Sequence, residues 1–309
     1  MTYWIWITRN INKAVLTALL LFVPALCQAN DIPRITLLLS SKQPVYQLVA
    51  DSIHSSLNTT TNIEENTIDS IDSISGAPTI VLTIGSAAFE KALGKFKTSP
   101  IIASFLPRRV YEELLARAFR SSNNTTAIFI DQSMLLQLAL ARLITPTGTT
   151  IGTVFGASSI NERERVYHAA KTMGFNIKSV VLNSDNNPVN TLQPIIQDTD
   201  VFLAIPDQSA FNRASAKWSL FLALRLKKPL IGFSEKYVDA GALAAIFSSP
   251  QQIGQHAAEA LDAYLETGII VEPSHPKYFT VKTNLKSRQT INIQMNDAAV
   301  LQQQLGGAH

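Results

Sequence analysis

Short apolar runs alternate with amphipathic helical patterns along most of this 309-residue chain. A run of about 4–8 apolar or β-branched residues predicts a buried strand, and apolar residues spaced three and four apart predict a helix. Residues 34–40 form the first such run, and a helix follows from Pro44. Its apolar face is formed by Leu48, Val49 and Ile53. Because strands and helices alternate in this way, we predict an α/β fold with largely parallel sheets.

The strand and helix signals fall into two series, which predicts two Rossmann-like lobes with parallel-sheet cores. Residues 145–150 (TPTGTT) separate the two series and are rich in turn-forming and β-branched residues. The predicted strands, in chain order, are residues 34–40, 79–85, 100–106 and 126–131, then 150–156, 175–182, 200–206 and 229–233.

Polar residues at two predicted helix starts have the spacing of capping boxes. In this motif a Ser or Thr and a Glu or Gln three residues later bond each other's backbone N–H groups. Ser159 with Glu162 predicts one box, and Ser249 with Gln252 predicts another. Gly268 predicts the end of the second helix, since glycine readily adopts the left-handed conformation found there.

Two apolar strands near the end of the second series lie unusually close together. Residues 230–233 and 243–247 are separated by Ser234–Ala242 alone, which is short for a full crossover helix. In one interpretation the second strand leaves one lobe and the helix after it returns to the first sheet, so that the linker is a hinge. In the other, that helix stays with the second sheet. The periodicity supports both equally.

The N-terminus has the pattern of a secretory signal peptide, which we assign to residues 1–29. Arg9 and Lys13 precede the apolar run 14–26, and small residues follow up to Ala29. The run is about 13 residues long, short of the roughly 20 that span a bilayer. We therefore predict export to the periplasm by a cleavable signal, with an uncleaved anchor as the alternative.

Cleavage after Ala29 would remove the single cysteine, Cys27. The mature chain would then contain no disulfide, thiolate nucleophile or Cys-based metal site. Lipidation of Cys27 is disfavoured, because Leu26 stands where a bacterial lipoprotein signal has a small residue.

The charge balance of the mature chain argues against nucleic acid as a partner. Removal of Arg9 and Lys13 leaves 24 of the 26 basic residues against 23 acidic ones, a net charge of +1. A nucleic-acid-binding surface needs clustered excess positive charge.

Sequence motifs of common enzyme classes are missing. The chain contains no P-loop, no G-x-G-x-x-G and no G-x-S-x-G. Its five histidines show no metal-binding spacing; they are His54, His168, His256, His275 and His309. We therefore predict a non-enzymatic protein without cofactor or metal. A secreted α/β hydrolase is disfavoured because no nucleophile–base pair is visible.

Candidate ligand-binding residues follow the strands of the predicted first lobe, since ligands of open α/β sheets bind beyond the carboxyl ends of the strands. Ser40, Ser41 and Gln43 follow the first strand. Gly85 and Ser86 open a helix whose N–H groups and dipole could hold a carboxylate or phosphate. An ordinary strand–helix turn with a capping serine explains the same pair equally well.

Further candidates lie at two other strand ends. Phe105 and Leu106 offer an apolar wall, although core residues would look the same. Gly156, Ser158 and Ser159 offer hydroxyl and N–H groups at a helix start, where capping alone would explain one serine.

Acidic candidates belong to the predicted second lobe. Asp207 follows a buried strand and could pair with an ammonium group, with a helix cap as the competing interpretation. Ser234 and Glu235 lie in the next such loop, where a glutamate is by default solvated. Gly85 and Ser86 in one lobe, with Asp207 in the other, would suit a zwitterion such as an amino acid.

Four longer stretches carry a family resemblance. They are VFGASSINERERVYHAAKTMGF (154–175), DVFLAIPDQSA (200–210), GALAAIFSSPQQIGQHAAEALDAYLETG (241–268) and PKYFTVKTNLKSRQTINI (276–293). They resemble, in turn, the opening of the second lobe, an aspartate-rich loop, the hinge strand with its return helix, and the closing strand of the periplasmic substrate-binding proteins of ABC importers. The chain is most similar to the tryptophan-type and uncharacterised members, which have the type I periplasmic-binding fold. It departs from them at residues 234–237, so the ligand is not inferred from the resemblance.

The resemblance implies two lobes built from discontinuous segments, residues 31–146 with 247–275 and residues 147–246 with 276–309. It implies that a small molecule binds between the lobes, and that a monomer delivers it to an inner-membrane ABC permease. A periplasmic sensor subunit of the same fold is the alternative that the sequence leaves open.

Overall fold

The computed structural model describes residues 33–58, 61–118, 124–183 and 187–306, and the predicted signal peptide lies outside them. The described chain forms two β-sheets, each flanked by helices. The predicted fold, two α/β lobes with parallel-sheet cores, is therefore confirmed. Within those four ranges, no helix combines the length and the apolar character needed to cross a bilayer.

The first sheet contains five parallel strands in the order β2-β1-β3-β4-β5. They are β1 (Ile35–Leu39), β2 (Ile63–Thr67), β3 (Ile80–Ile84), β4 (Ile101–Leu106) and β5 (Thr125–Phe129). The helices between them are α1 (Pro44–Ser56), α2 (Ser86–Lys95) and α3 (Arg108–Arg117). Strands β1 and β3 are buried along their whole length, because helices cover both faces of the sheet.

The sequence pattern does not predict strand β2. Its residues, IEENT, are mostly polar, and Glu64 and Glu65 are exposed. The strand forms one edge of the sheet, where charged side chains protect unpaired backbone groups from pairing with another chain.

The second sheet contains six strands in the order β11-β10-β9-β8-β6-β7, all parallel except β11, which runs antiparallel to β10. They are β6 (Thr150–Phe155), β7 (Asn176–Val181), β8 (Val201–Leu203), β9 (Leu230–Gly232), β10 (Ala244–Phe247) and β11 (Thr280–Thr283). The helices from residue 134 onwards are α4 (Met134–Ile144), α5 (Arg163–Thr172), α6 (Pro188–Gln197), α7 (Arg213–Arg225), α8 (Glu235–Asp239), α9 (Pro250–Thr267), α10 (Leu285–Ile291) and α11 (Ala298–Gly306).

Helix α4 packs with the second sheet. Its Leu138 and Ile144 share a hydrophobic core with Ile151 of β6. The chain therefore crosses between the sheets before α4, near residues 130–133. The lobe boundary that we predicted after residue 146 stays a prediction. The periodicity of a helix marks its apolar face but not the sheet that the face covers.

The two closely spaced strands are β9 and β10, which are parallel neighbours in the second sheet. Between them, part of the segment that we predicted as a loop forms the short helix α8. The longer helix α9 then packs on the first sheet, where Ile253, Ala257 and Leu261 share a core with Val49 of α1. Of the two alternatives for this helix, the structure shows the return to the first sheet.

One of the two predicted capping boxes is present. Ser249 and Gln252 form it at the start of α9, and Gly268 ends that helix with φ 68°. The box expected of Ser159 and Glu162 is absent, because Ser159 Oγ instead accepts the N–H of Gly156 at 3.2 Å.

Candidate functional site

An open cleft of about 1510 Å³ is lined by residues of both lobes. Its walls include loops at the carboxyl ends of parallel strands, the usual position of ligand sites in open α/β sheets, together with residues of α3, α4 and α5. Phe105 belongs to β4 of the first sheet and Ile130 follows β5, whereas Ser158, Pro206 and Phe233 follow strands of the second sheet.

Five of the thirteen predicted residues line this cleft: Ser86, Phe105, Ser158, Ser159 and Asp207. The other eight, which do not line it, are Ser40, Ser41, Gln43, Gly85, Leu106, Gly156, Ser234 and Glu235. The part that any of them plays in ligand binding stays a prediction.

Phe105 reaches the cleft because the backbone leaves regular strand geometry there. Its φ is 57°, a left-handed conformation that is unfavourable for a bulky residue. The pairing of β4 with β5 shifts register between Ser104 and Leu106. As a result Leu106 stays in the core, whereas the half-buried Phe105 ring faces the cleft and meets Tyr46 edge to face at 6.0 Å between ring centroids.

Ser40 and Gly85 shape the start of helix α2. The buried Ser40 hydroxyl donates to the carbonyl of Ile84 (2.9 Å) and accepts the N–H of Ala88 (2.9 Å), so it caps the helix from a neighbouring loop. At Gly85 φ is 90°, and an added Cβ would lie 2.5 Å from Ser40 Oγ. Both residues therefore position Ser86 without lining the cleft themselves.

Asp207 holds two loops of the second lobe together. Its Oδ1 accepts from Ser158 Oγ (2.8 Å), from Ser209 N–H (2.7 Å) and Oγ (2.5 Å), and from Ala210 N–H (3.0 Å). Its Oδ2 accepts the N–H of Gly156 at 3.0 Å. A side chain at Gly156 would collide with this loop, because its Cβ would lie 2.8 Å from the nitrogen of Ala210.

These bonds determine the ionisation of Asp207. Burial raises its pKa, but hydrogen bonds from Ser159, Ser209, Ala210 and Ser158 outweigh burial and hold the pKa well below its ordinary value. The carboxylate is therefore charged at neutral pH and engaged by groups of its own lobe. Asp207 does not cap helix α7, which begins at Arg213 and is capped by Asn212. It closes the turn that includes Ser209 and Ala210 instead.

Glu235 lies outside the cleft, at the start of α8. It pairs with Lys282 of β11 at 2.9 Å, and the same Lys282 bonds Asp239 at 2.6 Å. The exposed position of Glu235 agrees with the default expectation, which is that a glutamate in this loop is solvated.

Ion pairs at the cleft rim connect the two lobes. Glu112 of α3 binds Arg165 of α5 at 2.8 Å, and it also binds Arg108 at 2.9 Å. Glu162 adds a second partner for Arg165 at 3.0 Å. We call these four residues the rim network. Burial raises the pKa of Glu112, but its hydrogen bonds with both arginines outweigh burial and lower the pKa below the ordinary value.

The three chain segments that pass between the sheets are fastened at one point. Gln132 follows β5, Ser248 follows β10, and Tyr278 precedes β11. Gln132 Nε2 donates to Ser248 Oγ at 2.6 Å, and Ser248 Oγ donates to the carbonyl of Tyr278 at 2.5 Å. These bonds link all three segments, and Gln132 also lines the cleft.

Asp131 lies beside this junction. Its Oδ1 accepts the N–H of Arg108 at 2.9 Å, and its carbonyl lies 2.7 Å from Nδ1 of His275. Burial raises the pKa of Asp131, although the N–H of Arg108 and the nearby His275 favour its charged form.

The sequence reasoning missed several residues that line the cleft, among them Tyr46, Gln132, Gln137 and Arg165. Gln137 had a local signal, since it is a lone polar residue in the apolar run MLLQLALA. Arg165 had none, because its partner Glu112 is 53 positions away. Across the described ranges, no group of His, Cys, Asp and Glu side chains is arranged to hold a metal ion.

Solved structures share this fold at low sequence identity. An ABC domain from Streptococcus pneumoniae in complex with L-Trp is 17% identical, with 87% of this chain and 98% of that chain covered and a TM-score of 0.56. A ligand-free, open substrate-binding protein with adhesive properties from Clostridium difficile is 14% identical, with 86% and 96% covered and a TM-score of 0.67. A periplasmic ribose ABC transporter protein from Conexibacter woesei is 13% identical, with 84% and 95% covered and a TM-score of 0.51.

Comparison of the sequence with known proteins identifies a protein family but no individual curated protein. None of the curated proteins matches it. A family profile described as ABC transporter substrate binding protein matches residues 52–304, which is most of the chain. The resemblance seen in the sequence is thereby confirmed: the chain belongs to the family of ABC transporter substrate-binding proteins.

Proposed function

We propose that this protein is exported to the periplasm, captures a small molecule between its lobes and delivers it to an inner-membrane ABC permease. The observation that carries the proposal is the cleft, which is bordered by both lobes and lies beside the three segments that join them. A molecule held there contacts both lobes at once, so it stabilises the conformation in which they are close together. The lobes that we propose are residues 34–131 with 249–275, and residues 133–247 with 276–306.

A ligand screen by thermal shift on the processed full-length protein tests this proposal. The panel contains L-tryptophan, which is bound in one structure of similar fold, and ribose, after which another is named, together with other amino acids, sugars, nucleosides and neutral aromatic compounds. A compound at 100 times its Kd is expected to add about 2.7 kcal/mol to the free energy of unfolding. The absence of any stabilising compound would argue against capture of a small molecule.

Export and delivery need their own measurements. Mass spectrometry of the protein from the periplasm is expected to show an N-terminus after Ala29, and an intact N-terminus would indicate an anchor instead. Delivery predicts that loss of the partner ABC permease stops uptake of the ligand that the screen identifies. Continued uptake would contradict that part of the proposal.

A further inference from the structure

The outward side of helix α7 carries two large aromatic side chains. Trp218 is 42% exposed and Phe221 is 50% exposed, and their rings meet edge to face with centroids 5.7 Å apart. Because they are three positions apart, they are neighbours on the helix surface. The inward side of the helix already supplies the core, where Leu222 and Ala223 are buried. The two exposed rings are therefore not needed to hold α7 on its sheet.

Basic side chains flank this aromatic pair along the same side of the helix. Lys217 lies four residues before Phe221 and Arg225 lies four residues after it, and Arg213 lies one turn before Lys217. All three basic residues are exposed. Within the described chain none of them forms an ion pair, whereas the exposed Lys178 pairs with a carboxylate at 3.6 Å. Their charges are therefore free to attract an external anion.

The helices beside α7 do not compensate this positive charge. Both α6 and α10 contact α7. Helix α7 contains three basic residues, α10 contains Lys286 and Arg288, and α6 contains no charged residue. The three helices thus hold five basic residues and no acidic one, although the processed chain as a whole has 24 basic and 23 acidic residues. The positive charge of this surface is local and does not follow from the overall composition.

Aromatic residues flanked by lysine and arginine are typical of protein surfaces that lie in the interface of an anionic bilayer. The ring of a tryptophan enters the apolar boundary while its N–H stays among the headgroups. The long stems of lysine and arginine lie along the apolar layer and carry their charges to the lipid phosphates. A protein partner fits this surface less well, because a stable protein interface takes about 20–30 residues a side and the aromatic part here is a single pair.

We propose that the outward side of α7 docks on an anionic phospholipid bilayer. Trp218 and Phe221 enter the headgroup layer, and Arg213, Lys217 and Arg225 contact lipid phosphates. Attachment of the second lobe to a bilayer would hold the protein close to an inner-membrane permease. None of these five residues lines the cleft, so capture of a small molecule does not depend on this proposal and can stand if it fails.

The test measures co-sedimentation of the processed full-length protein with phospholipid vesicles. One set of vesicles contains equal parts of phosphatidylglycerol and phosphatidylcholine, and the other contains phosphatidylcholine alone. We expect the anionic vesicles to bind at least about tenfold more tightly, because each basic residue near an anionic surface contributes roughly fivefold. Binding is expected to be lost in 1 M salt, which largely screens the attraction between exposed charges.

The fluorescence of Trp218 shows which surface meets the lipid. Trp4 and Trp6 belong to the predicted signal peptide, so Trp218 is the single tryptophan of the processed protein. Its emission is expected to shift to shorter wavelength on the anionic vesicles, because the ring leaves water for the headgroup layer.

Variants separate the two contributions to binding. Lys217→Gln combined with Arg225→Gln is expected to weaken binding to the anionic vesicles by about tenfold or more, since two charges are lost. Trp218→Gln and Phe221→Gln are each expected to weaken it by about fivefold or more, since an apolar ring is lost from the interface. Thermal unfolding of each variant shows whether it is folded.

The matched control is Lys91→Gln combined with Lys171→Gln, at exposed positions of α2 and α5. It removes the same charge from other surfaces and is expected to change binding by less than about twofold. If it weakens binding as much as the pair of substitutions in α7 does, the attraction is due to overall charge and the proposal is wrong.

Other results would also overturn the proposal. They are equal binding to the two kinds of vesicle, binding to neither, and an unchanged emission of Trp218 in the bound protein. A dimer in sedimentation equilibrium that Phe221→Gln separates, without vesicle binding, would assign this surface to a contact between two copies of the chain. Binding only to vesicles that contain the partner permease would assign it to a protein partner.

Discussion

At the scale of single residues, the same side chain could serve the ligand or the fold, and the sequence alone does not decide between them. Asp207 was predictable as a carboxylate just past a buried strand. Which role it fills depends on Ser158 and Gly156, some fifty positions earlier, whose groups donate to it. The conformation of Phe105 has no sequence signal, because a positive φ at a bulky residue is imposed by the register shift in the sheet around it.

Asp207→Asn is expected to lower the free energy of unfolding by about 2–3 kcal/mol at pH 7, because hydrogen bonds to a charged acceptor are lost. The folded-state pKa lies below the unfolded value near 3.9. The stabilisation is therefore complete well above pH 4 and is lost as the pH falls toward the folded pKa. Urea unfolding of wild type and variant at pH 7, 5 and 3.5 should show the difference shrinking at the lowest pH.

The control is Asp72→Asn, at an exposed position, which should stay within about 0.5 kcal/mol of wild type at each pH. A difference between wild type and Asp207→Asn that is the same at all three pH values would contradict the assigned role of the carboxylate.

Phe105→Gly is expected to be more stable than Phe105→Ala by about 0.5–1 kcal/mol. Both variants lose the ring, but glycine adopts φ 57° without the steric penalty that alanine carries. Ala103 is a buried position two residues earlier in the same strand, and there alanine is expected to be more stable than glycine. Ala103→Gly should therefore be less stable than wild type. Urea unfolding measures all three, and a Phe105→Gly variant less stable than Phe105→Ala would show that the left-handed backbone is not a constraint there.

At the scale of secondary structure, periodicity and helix-end signals predicted most strands of both sheets and the start and end of α9. These signals failed for elements whose structure depends on residues distant in the sequence. The polar residues of β2 become a strand only because β1 offers an edge to pair with. Whether α4 and α9 pack on the first or the second sheet depends on which sheet their apolar faces fit. The spacing of apolar residues within a helix does not reveal this.

The contact of α9 with α1 can be tested at Gly254. A Cβ at this position would lie 2.6 Å from the carbonyl oxygen of Val49, so the two helices would have to move apart. Gly254→Ala is therefore expected to lower the free energy of unfolding by about 1–3 kcal/mol, although alanine is the better helix former.

Gly94→Ala in α2 is the matched control. An added Cβ there meets nothing within 4 Å, so the substitution should raise the stability by up to about 1 kcal/mol. Chemical unfolding of the two variants compares them directly, and equal effects of the two substitutions would show that α9 does not pack tightly on α1.

At the scale of the whole molecule, two sets of polar contacts connect the lobes or the segments between them. The bonds of Gln132 and Ser248 fasten the connecting segments on one side of the cleft. The rim network bridges its mouth through Glu112 and Arg165. The two-lobe architecture was predictable from the repeated strand–helix pattern, but these contacts join residues that are distant in sequence and become neighbours only in the folded protein.

The Glu112–Arg165 pair is expected to favour the closed arrangement of the lobes in the unliganded protein. Both side chains are partly exposed, 38% and 45%, so the pair contributes about 0.2–1 kcal/mol. A contribution at the upper end changes the ratio of closed to open molecules by about fivefold. Glu112→Gln should therefore lengthen the mean distance between spin labels at Lys91 and Lys171, one in each lobe. Pulsed electron paramagnetic resonance measures this distance.

Glu90→Gln is the matched control, because Glu90 pairs with Arg117 within the first lobe, at 3.4 Å, and that bridge cannot affect the angle between the lobes. In 1 M salt the Debye length is about 3 Å, so the attraction between exposed charges is largely screened. The distance between the labels in the wild-type protein should then approach that in Glu112→Gln. A distribution unchanged by Glu112→Gln, or changed equally by Glu90→Gln, would show that the rim network does not hold the lobes together. Closure would then depend on the connecting segments and on the bound molecule.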